Sequence, residues 1–103
     1  MANIPGGWSE TKDATPQIQK ICDEVRILVQ EFTGKTYEVY RAVKYRNQIV
    51  AGENFLIKVF VGEEGFLHLC VFQELPCKGG ESVLCGVEQH RQKDDPLVLF
   101  VSN

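Results

Sequence analysis

The chain has 103 residues, of which 44% are hydrophobic and 24% are charged, as is typical of one globular domain over residues 1–103. Its 11 lysines and arginines are outnumbered by 14 aspartates and glutamates, which gives a formal net charge of −3. These values exclude a large multidomain enzyme and a disordered or collagen-like chain, and an acidic chain without a basic cluster argues against nucleic acid as a partner.

The first eight residues, Met1 to Trp8, form a segment without charged side chains. This segment lacks the basic start and apolar core of a secretory signal, and no apolar run approaches the roughly 20 residues of a membrane span. Pro5 favours an extended backbone, and Gly6 and Gly7 permit close approach to another surface. We therefore expect an extended segment over residues 1–8 of a cytoplasmic protein that binds no membrane.

A helix is predicted over about residues 16–33. Thr15 is suited to cap its start, Pro16 suits the first helical position, and Gly34 supplies the left-handed residue that commonly ends a helix. Apolar residues recur at intervals of three and four, and they form the stripe Ile18, Ile21, Cys22, Val25, Leu28, Val29 and Phe32. We expect one long helix that buries this stripe.

Alternation of apolar and polar residues follows, and it predicts strands between about residues 38 and 92. The clearest runs are Val43 to Tyr45, Phe55 to Val61, Leu67 to Phe72 and Glu81 to His90. Short turns separate them, so the simplest topology is an antiparallel meander with the helix packed on one face. The fold class predicted from the pattern is therefore α+β.

Two of the connecting turns are unusually apolar. The turn Gln48-Ile49-Val50-Ala51-Gly52 has an entirely apolar middle, and a later turn opens with Leu75-Pro76-Cys77. The turn at 62–65 is polar, as a solvated turn should be. Alternate turns of a meander lie at the same end of the strands, and we call each such side, formed by strand ends, an edge of the sheet. We therefore expect both apolar turns at one edge, together with the segment before the helix. Such exposed apolar turns indicate a binding surface.

The sequence predicts different environments for the four cysteines. Cys22 lies on the helix stripe and is interpreted as a buried core residue. Cys70 and Cys85 fall on strands predicted to be adjacent, and the sequence leaves open whether they form a disulfide. Cys77 is either an incidental small residue or a redox-sensitive or dimerising thiol. Because no Cys-x-x-Cys pair occurs, we expect no metal site and no cofactor.

At these turns the sequence resembles the stefins, the type 1 cystatins, with stefins A and B as the nearest members. Residues 48–52 match the family's Gln-Val-Val-Ala-Gly loop with Ile49 in place of the first valine, and Leu75-Pro76 matches the second stefin loop. Ile4-Pro5-Gly6-Gly7 is similar to the stefin amino terminus. The resemblance extends from about Ile4 to Phe100.

The resemblance implies a cystatin-like fold, in which four long strands and a short N-terminal one wrap around a single long helix. It also implies a cytosolic, reversible, tight-binding and non-covalent inhibitor of papain and of cathepsins L, S, H and B. A three-part wedge would occlude the active-site cleft of the protease. The protease-binding residues would be Ile4, Pro5, Gly6, Gly7, Gln48, Ile49, Val50, Ala51, Gly52, Leu75, Pro76 and, at the rim, Cys77.

Three alternatives remain at the level of the sequence. The first is an enzyme that uses a cysteine with His68 or His90, although the papain-type cysteine signature is missing and His68 is expected to face solvent or a neighbouring strand. The second is a scaffold protein that keeps the fold without strong inhibition. The third is a domain-swapped dimer, in an otherwise monomeric protein, in which the turn at 48–52 straightens.

Overall fold

The structure is a computed structural model that describes residues 7–100. Its elements are β1 (Lys12–Asp13), α1 (Pro16–Glu24), α2 (Arg26–Thr33), β2 (Arg41–Val50), β3 (Gly52–Phe60), β4 (Phe66–Gln73) and β5 (Ser82–Arg91). The five strands form one antiparallel sheet in the order β1-β2-β3-β4-β5. The predicted α+β class and antiparallel meander are therefore confirmed.

The helical residues begin and end where the sequence predicts. Thr15 accepts a hydrogen bond from the Ile18 amide through its side-chain oxygen, at 3.3 Å, and so caps the start of α1. At the other end Gly34 adopts a left-handed conformation (φ 74°), and its amide donates to the Gln30 carbonyl at 2.8 Å. A residue with a side chain would be strained there, so the glycine defines the end of α2.

The prediction of one uninterrupted helix is wrong at Val25. This residue lies between α1 and α2 with φ −100° and ψ 5°, outside the helical range of ψ. Its amide still donates to Ile21 at 3.3 Å and its carbonyl accepts from Val29 at 2.9 Å, so hydrogen bonds continue through the bend. Because α1 packs against β2 and α2 against β5, the bend allows the helical residues to follow the twisted sheet from one strand to another.

The core lies between the helices and the inner face of the sheet. It contains Ile18, Ile21, Cys22, Val25 and Val29 from residues 16–33, and Phe55, Ile57, Val59, Leu67, Leu69 and Val71 from the strands. The predicted stripe is too wide, since Leu28 and Phe32 are 44% and 51% exposed. Both residues belong to α2, which packs against β5, and β5 is the last strand of the described sheet and leaves that side uncovered.

The outer face of the sheet is covered in its middle by residues 92–97. The Lys58 ammonium donates to the main-chain oxygens of Gln92 (3.2 Å), Lys93 and Asp95 (2.7 Å), and Leu97 is buried. Lys58 and His68 are consequently only 4% and 1% exposed. The sequence predicts that His68 faces solvent or a neighbouring strand. The expectation of solvent exposure is wrong, because a segment without regular secondary structure covers the face on which both residues lie. The second expectation is confirmed, since the His68 ring lies 3.9 Å from the Glu88 carboxylate on β5.

Candidate functional site

The first apolar turn is the tight tip of the β2–β3 hairpin. Val50 pairs with Gly52, which leaves Ala51 as the only residue between the strands. Ile49 and Val50 are 60% and 41% exposed, although both are large and apolar. Water surrounds these side chains in the free protein, so their burial by a partner would be favourable.

Side-chain hydrogen bonds hold this hairpin tip in one conformation. The side-chain amide of Asn54 donates to the Gln48 side-chain oxygen at 2.8 Å, and the side-chain amide of Asn47 donates to the Glu53 carboxylate at 2.8 Å. These bonds cross the hairpin just below Ile49 and Val50. The two exposed side chains are therefore presented by an ordered hairpin, and little conformational entropy remains to be lost on binding.

Gly52 fixes the first turn against the strand that leads to the second. Its φ is +123°, a value that residues with side chains rarely adopt. A Cβ atom at this position would lie 2.6 Å from the Gln73 carbonyl oxygen and 2.6 Å from the Phe72 ring. No larger residue fits, so Gly52 couples the position of the first turn to the end of β4.

The second apolar turn connects β4 to β5 and is closed by its own backbone. The Leu75 carbonyl accepts from the amides of Lys78 and Gly80, at 2.9 and 3.0 Å. Leu75 is 37% exposed, and Pro76 and Cys77 follow it in an exposed single turn of 3₁₀ helix. Leu75 and Pro76 thus project from a closed turn and not from a loose loop.

The two apolar turns lie at the same edge of the sheet and border one cleft. This cleft has a volume of about 460 Å³, and its lining includes Ile49, Val50, Leu75, Pro76 and Gln17. Gln17 belongs to the first turn of α1, so the start of the helix also lies at this edge. At the opposite edge, the polar turn at 62–65 is tied to the end of the helical segment by an ion pair between Lys35 and Glu64 at 2.8 Å.

The segment before the helix leads to the same edge. Trp8 forms a β-bridge with Gln48, and the Ser9 amide donates to the Asn47 carbonyl at 2.8 Å. Farther from the tip, Lys12 pairs with Tyr45, so the segment runs antiparallel to β2 and Trp8 lies nearer to the tip than Lys12 does. Gly7 is exposed there. Ile4, Pro5 and Gly6, which the resemblance to the stefins predicts to bind protease, lie outside the described residues.

Several residues that support this edge were missed by sequence reasoning. Trp8 and Ser9 align the N-terminal segment, Asn54 orients Gln48, and Phe72 packs against Gly52. The pairing of Asn54 with Gln48 had a readable signal, because the two residues are equidistant from Ala51 in a two-stranded hairpin. The contact between Gly52 and Phe72 depends on the neighbouring strand and leaves no local pattern.

The arrangement of the cysteines and histidines gives no support to catalysis. Cys22 is fully buried, as predicted, and burial raises the pKa of its thiol to about 12, so that its reactive thiolate is rare. His68 is buried on the outer face of the sheet, and burial lowers its pKa to about 4. Among residues 7–100, no three Cys, His, Asp or Glu side chains are grouped as metal ligands would be. Neither helix in this range is long and apolar enough to cross a membrane.

Comparison with known proteins identifies relatives over nearly the whole chain. The family model of the cystatin domain matches residues 6–94. Cystatin-A from Homo sapiens is 46% identical over 97 residues, which cover 94% of this chain and 99% of that protein. Leukocyte cysteine proteinase inhibitor 1 from Sus scrofa is 43% identical over 94% of both chains. Stefin-C from Bos taurus is 42% identical over 92% of this chain and 94% of its own length.

Proposed function

The chain belongs to the cystatin family, as its resemblance to the stefins indicates, and we propose that it is a tight-binding, reversible inhibitor of papain-like cysteine proteases. One relative carries the name of a cysteine proteinase inhibitor. Members of this family inhibit proteases and are not enzymes, so the catalytic alternative is set aside. The scaffold alternative differs from inhibition only in whether the apolar edge binds a protease.

The observation that carries the proposal is the pair of ordered apolar turns at one edge of the sheet. Ile49, Val50 and Leu75 are exposed there, and burial of the surface that remains exposed would contribute roughly 0.5–2 kcal/mol for each. A protein that kept this edge in water would gain nothing from so many ordered apolar side chains. A narrow, apolar and rigid edge is instead suited to enter a groove.

In the proposed mechanism the edge occludes the protease cleft in three parts. Residues 48–52 cover the catalytic centre, Leu75 and Pro76 contact the cleft on the leaving-group side, and Cys77 lies at the rim. Ile4 to Gly7 occupy the opposite side. The hairpin tip is held by paired strands, so none of its peptide bonds is expected to reach the protease thiolate in a geometry suitable for attack.

The affinity expected of such a contact is high. Protease–inhibitor interfaces bury about 800 Å² per partner, and a nanomolar dissociation constant corresponds to about −12 kcal/mol. Binding of a flexible loop would lose part of this energy to ordering. The hydrogen bonds at Gln48 and Asn47 and the packing of Gly52 leave this edge ordered before binding.

We expect a cytoplasmic monomer that acts on papain and on cathepsins L, S, H and B. In the alternative domain-swapped dimer, β2 and β3 would straighten into one strand and the first turn would be lost. Light scattering distinguishes the two states by their molar mass. Only the monomer would retain the wedge. A dimer that inhibits as strongly as the monomer would contradict this assignment of the first turn.

The proposal is tested by titrating papain and cathepsin L of known active-site concentration with the full chain. We expect stoichiometric loss of activity at nanomolar concentration, with full recovery on dilution. Leu75→Ala should speed dissociation about tenfold, because most binding differences between related complexes appear in the off-rate. Ile27→Ala is the matched control, since Ile27 is a 69% exposed aliphatic residue on α2, outside the described wedge.

Two results would contradict the proposal. The absence of inhibition up to micromolar concentration would reject the function and favour a scaffold protein. Equal loss of affinity in Leu75→Ala and Ile27→Ala would show that the two apolar turns are not the binding surface.

A further inference from the structure

Two thiols lie side by side on the outer face of the sheet, away from the proposed protease-binding edge. Cys70 on β4 pairs with Gly86 on β5, and the next pair is Val71 with Leu84. Cys85 therefore has no partner of its own and is the extra residue of a β-bulge. The bulge places a second cysteine immediately beside the position opposite Cys70.

The burial pattern of β5 shows which face Cys85 occupies. Leu84 packs against the core and Val87 is buried in it, so both face inward. The two residues between them, Cys85 and Gly86, consequently both belong to the outer face, on the same side as Cys70. Because Gly86 has no side chain, the space directly opposite Cys70 is open to the Cys85 thiol.

The two thiols differ in their surroundings. Cys70 is half-buried and pairs on its other side with Leu56, which is fully buried, whereas Cys85 is exposed. Burial raises the pKa of Cys70 to about 12, and the adjacent Cys85 thiol contributes to the same shift. The exposed Cys85 is thus the thiol that meets an oxidant first, and Cys70 is placed to react in the second step.

We propose that Cys70 and Cys85 form a reversible redox site, which a small disulfide such as oxidised glutathione converts into an intrachain disulfide. The Cys85 thiolate attacks one sulfur of oxidised glutathione, forms a mixed disulfide and releases one glutathione thiolate. Cys70 then loses its proton and attacks the Cys85 sulfur, which expels the second glutathione. The protein loses two electrons and two protons, and one oxidised glutathione becomes two reduced molecules.

The other two cysteines cannot replace either partner within the chain. Residues 71–74, each bonded to or paired with the neighbouring strand segment, separate Cys70 from the turn that contains Cys77. At the usual rise per strand residue, this distance is about 14 Å. A disulfide requires Cα atoms within about 7 Å of each other. Cys22 lies in the core on the opposite face of the sheet.

The disulfide would close a loop that contains the second apolar turn. Residues 71–84 lie between the two cysteines, so oxidation would join β4 to β5 below Leu75 and Pro76. A cross-link around about 15 residues removes conformational freedom from the unfolded chain, and a rise of about 10–25 °C in the melting temperature is expected.

The site is tested in the full chain carrying Cys77→Ser, which removes the exposed competing thiol at the tip. The reduced protein is equilibrated in glutathione buffers of increasing oxidised fraction, alkylated and mapped by mass spectrometry. We expect an intact mass, measured before alkylation, that is lower by about 2 Da than that of the reduced protein, together with a linked peptide that contains Cys70 and Cys85 and the higher melting temperature. Adding Cys85→Ser should abolish all three changes.

The proposal is overturned if Cys70 remains open to alkylation while Cys85 carries only bound glutathione or links two chains. Mapping of the unsubstituted chain gives the same decision if a variant folds poorly, since the linked peptide is identified directly. These measurements do not involve a protease, so their outcome is independent of the proposed inhibition.

Discussion

Replacement of Gly52 by alanine tests whether the backbone of the first turn is as constrained as its contacts indicate. The substitution adds one methyl group at a residue whose φ is +123°. That methyl carbon would lie 2.6 Å from the Gln73 carbonyl oxygen and 2.6 Å from the Phe72 ring. The Gln73 oxygen belongs to the backbone of β4, so the turn itself has to move.

The expected effect on stability follows from two contributions. A residue with a side chain in a sparsely populated backbone region costs of order 1–3 kcal/mol, and a forced shift in packed structure adds a comparable amount. We therefore expect the free energy of unfolding to fall by about 2–6 kcal/mol. For a domain of this size, each kcal/mol lowers the melting temperature by roughly 4–8 °C. Inhibition of papain should weaken at least about tenfold, because the turn moves relative to Leu75.

Gly34→Ala provides the matched control for backbone strain. Gly34 also has a positive φ, of +74°, but a Cβ atom there would have no neighbour within 4 Å. It ends α2 beside Lys35, at the edge opposite the apolar turns. Denaturant unfolding and papain titration of both variants should show a loss of about 1 kcal/mol with unchanged inhibition for Gly34→Ala. Equal stability losses, with inhibition intact in both variants, would refute the reasoning about Gly52.

The outer face of the sheet yields two further predictions. Burial lowers the pKa of His68 to about 4 from its ordinary value of 6.5. Between these pH values the unfolded chain binds more protons than the folded protein, so stability falls as the pH drops through this range. Measured by denaturant unfolding, the contribution of His68 to the free energy of unfolding should fall by about 2 kcal/mol between pH 7 and 4.5. An equally steep dependence of the free energy of unfolding on pH in His68→Leu would contradict this prediction. Lys58→Met should lower the free energy of unfolding by about 1–3 kcal/mol, because three carbonyl groups lose their donor, and should speed amide exchange in residues 92–97. Lys44→Met is the control, since Lys44 forms an exposed pair with Asp13, and equal losses in both variants would count against the role of Lys58.

The parts of the fold that local pattern determines could be predicted from the sequence. Thr15 and Gly34 mark the helical ends, and both act there as capping chemistry predicts. The alternating runs mark the strands, and the short turns between them determine the antiparallel order. Sequence also indicated that the two apolar turns share an edge, because turns of a meander alternate between edges.

The features that were missed depend on contacts between distant segments. The bend at Val25 follows the twist of the sheet beneath it, and no residue pattern in the helical sequence predicts it. Lys58 and His68 have the positions expected of a polar strand face, and only the path of residues 92–97 makes that face an interior. The bulge at Cys85 is equally invisible locally, since it is defined by the register with β4.

The attachment of the chain after β5 has a consequence for sequence variation. Lys58 binds the main-chain oxygens of residues 92, 93 and 95, and these oxygens are present whatever side chains the residues carry. Gln92 and Lys93 are exposed, so their replacement leaves the attachment in place. Positions 92 and 93 can therefore diverge in sequence while the path of the segment is kept, because the requirement for a long amine falls on position 58.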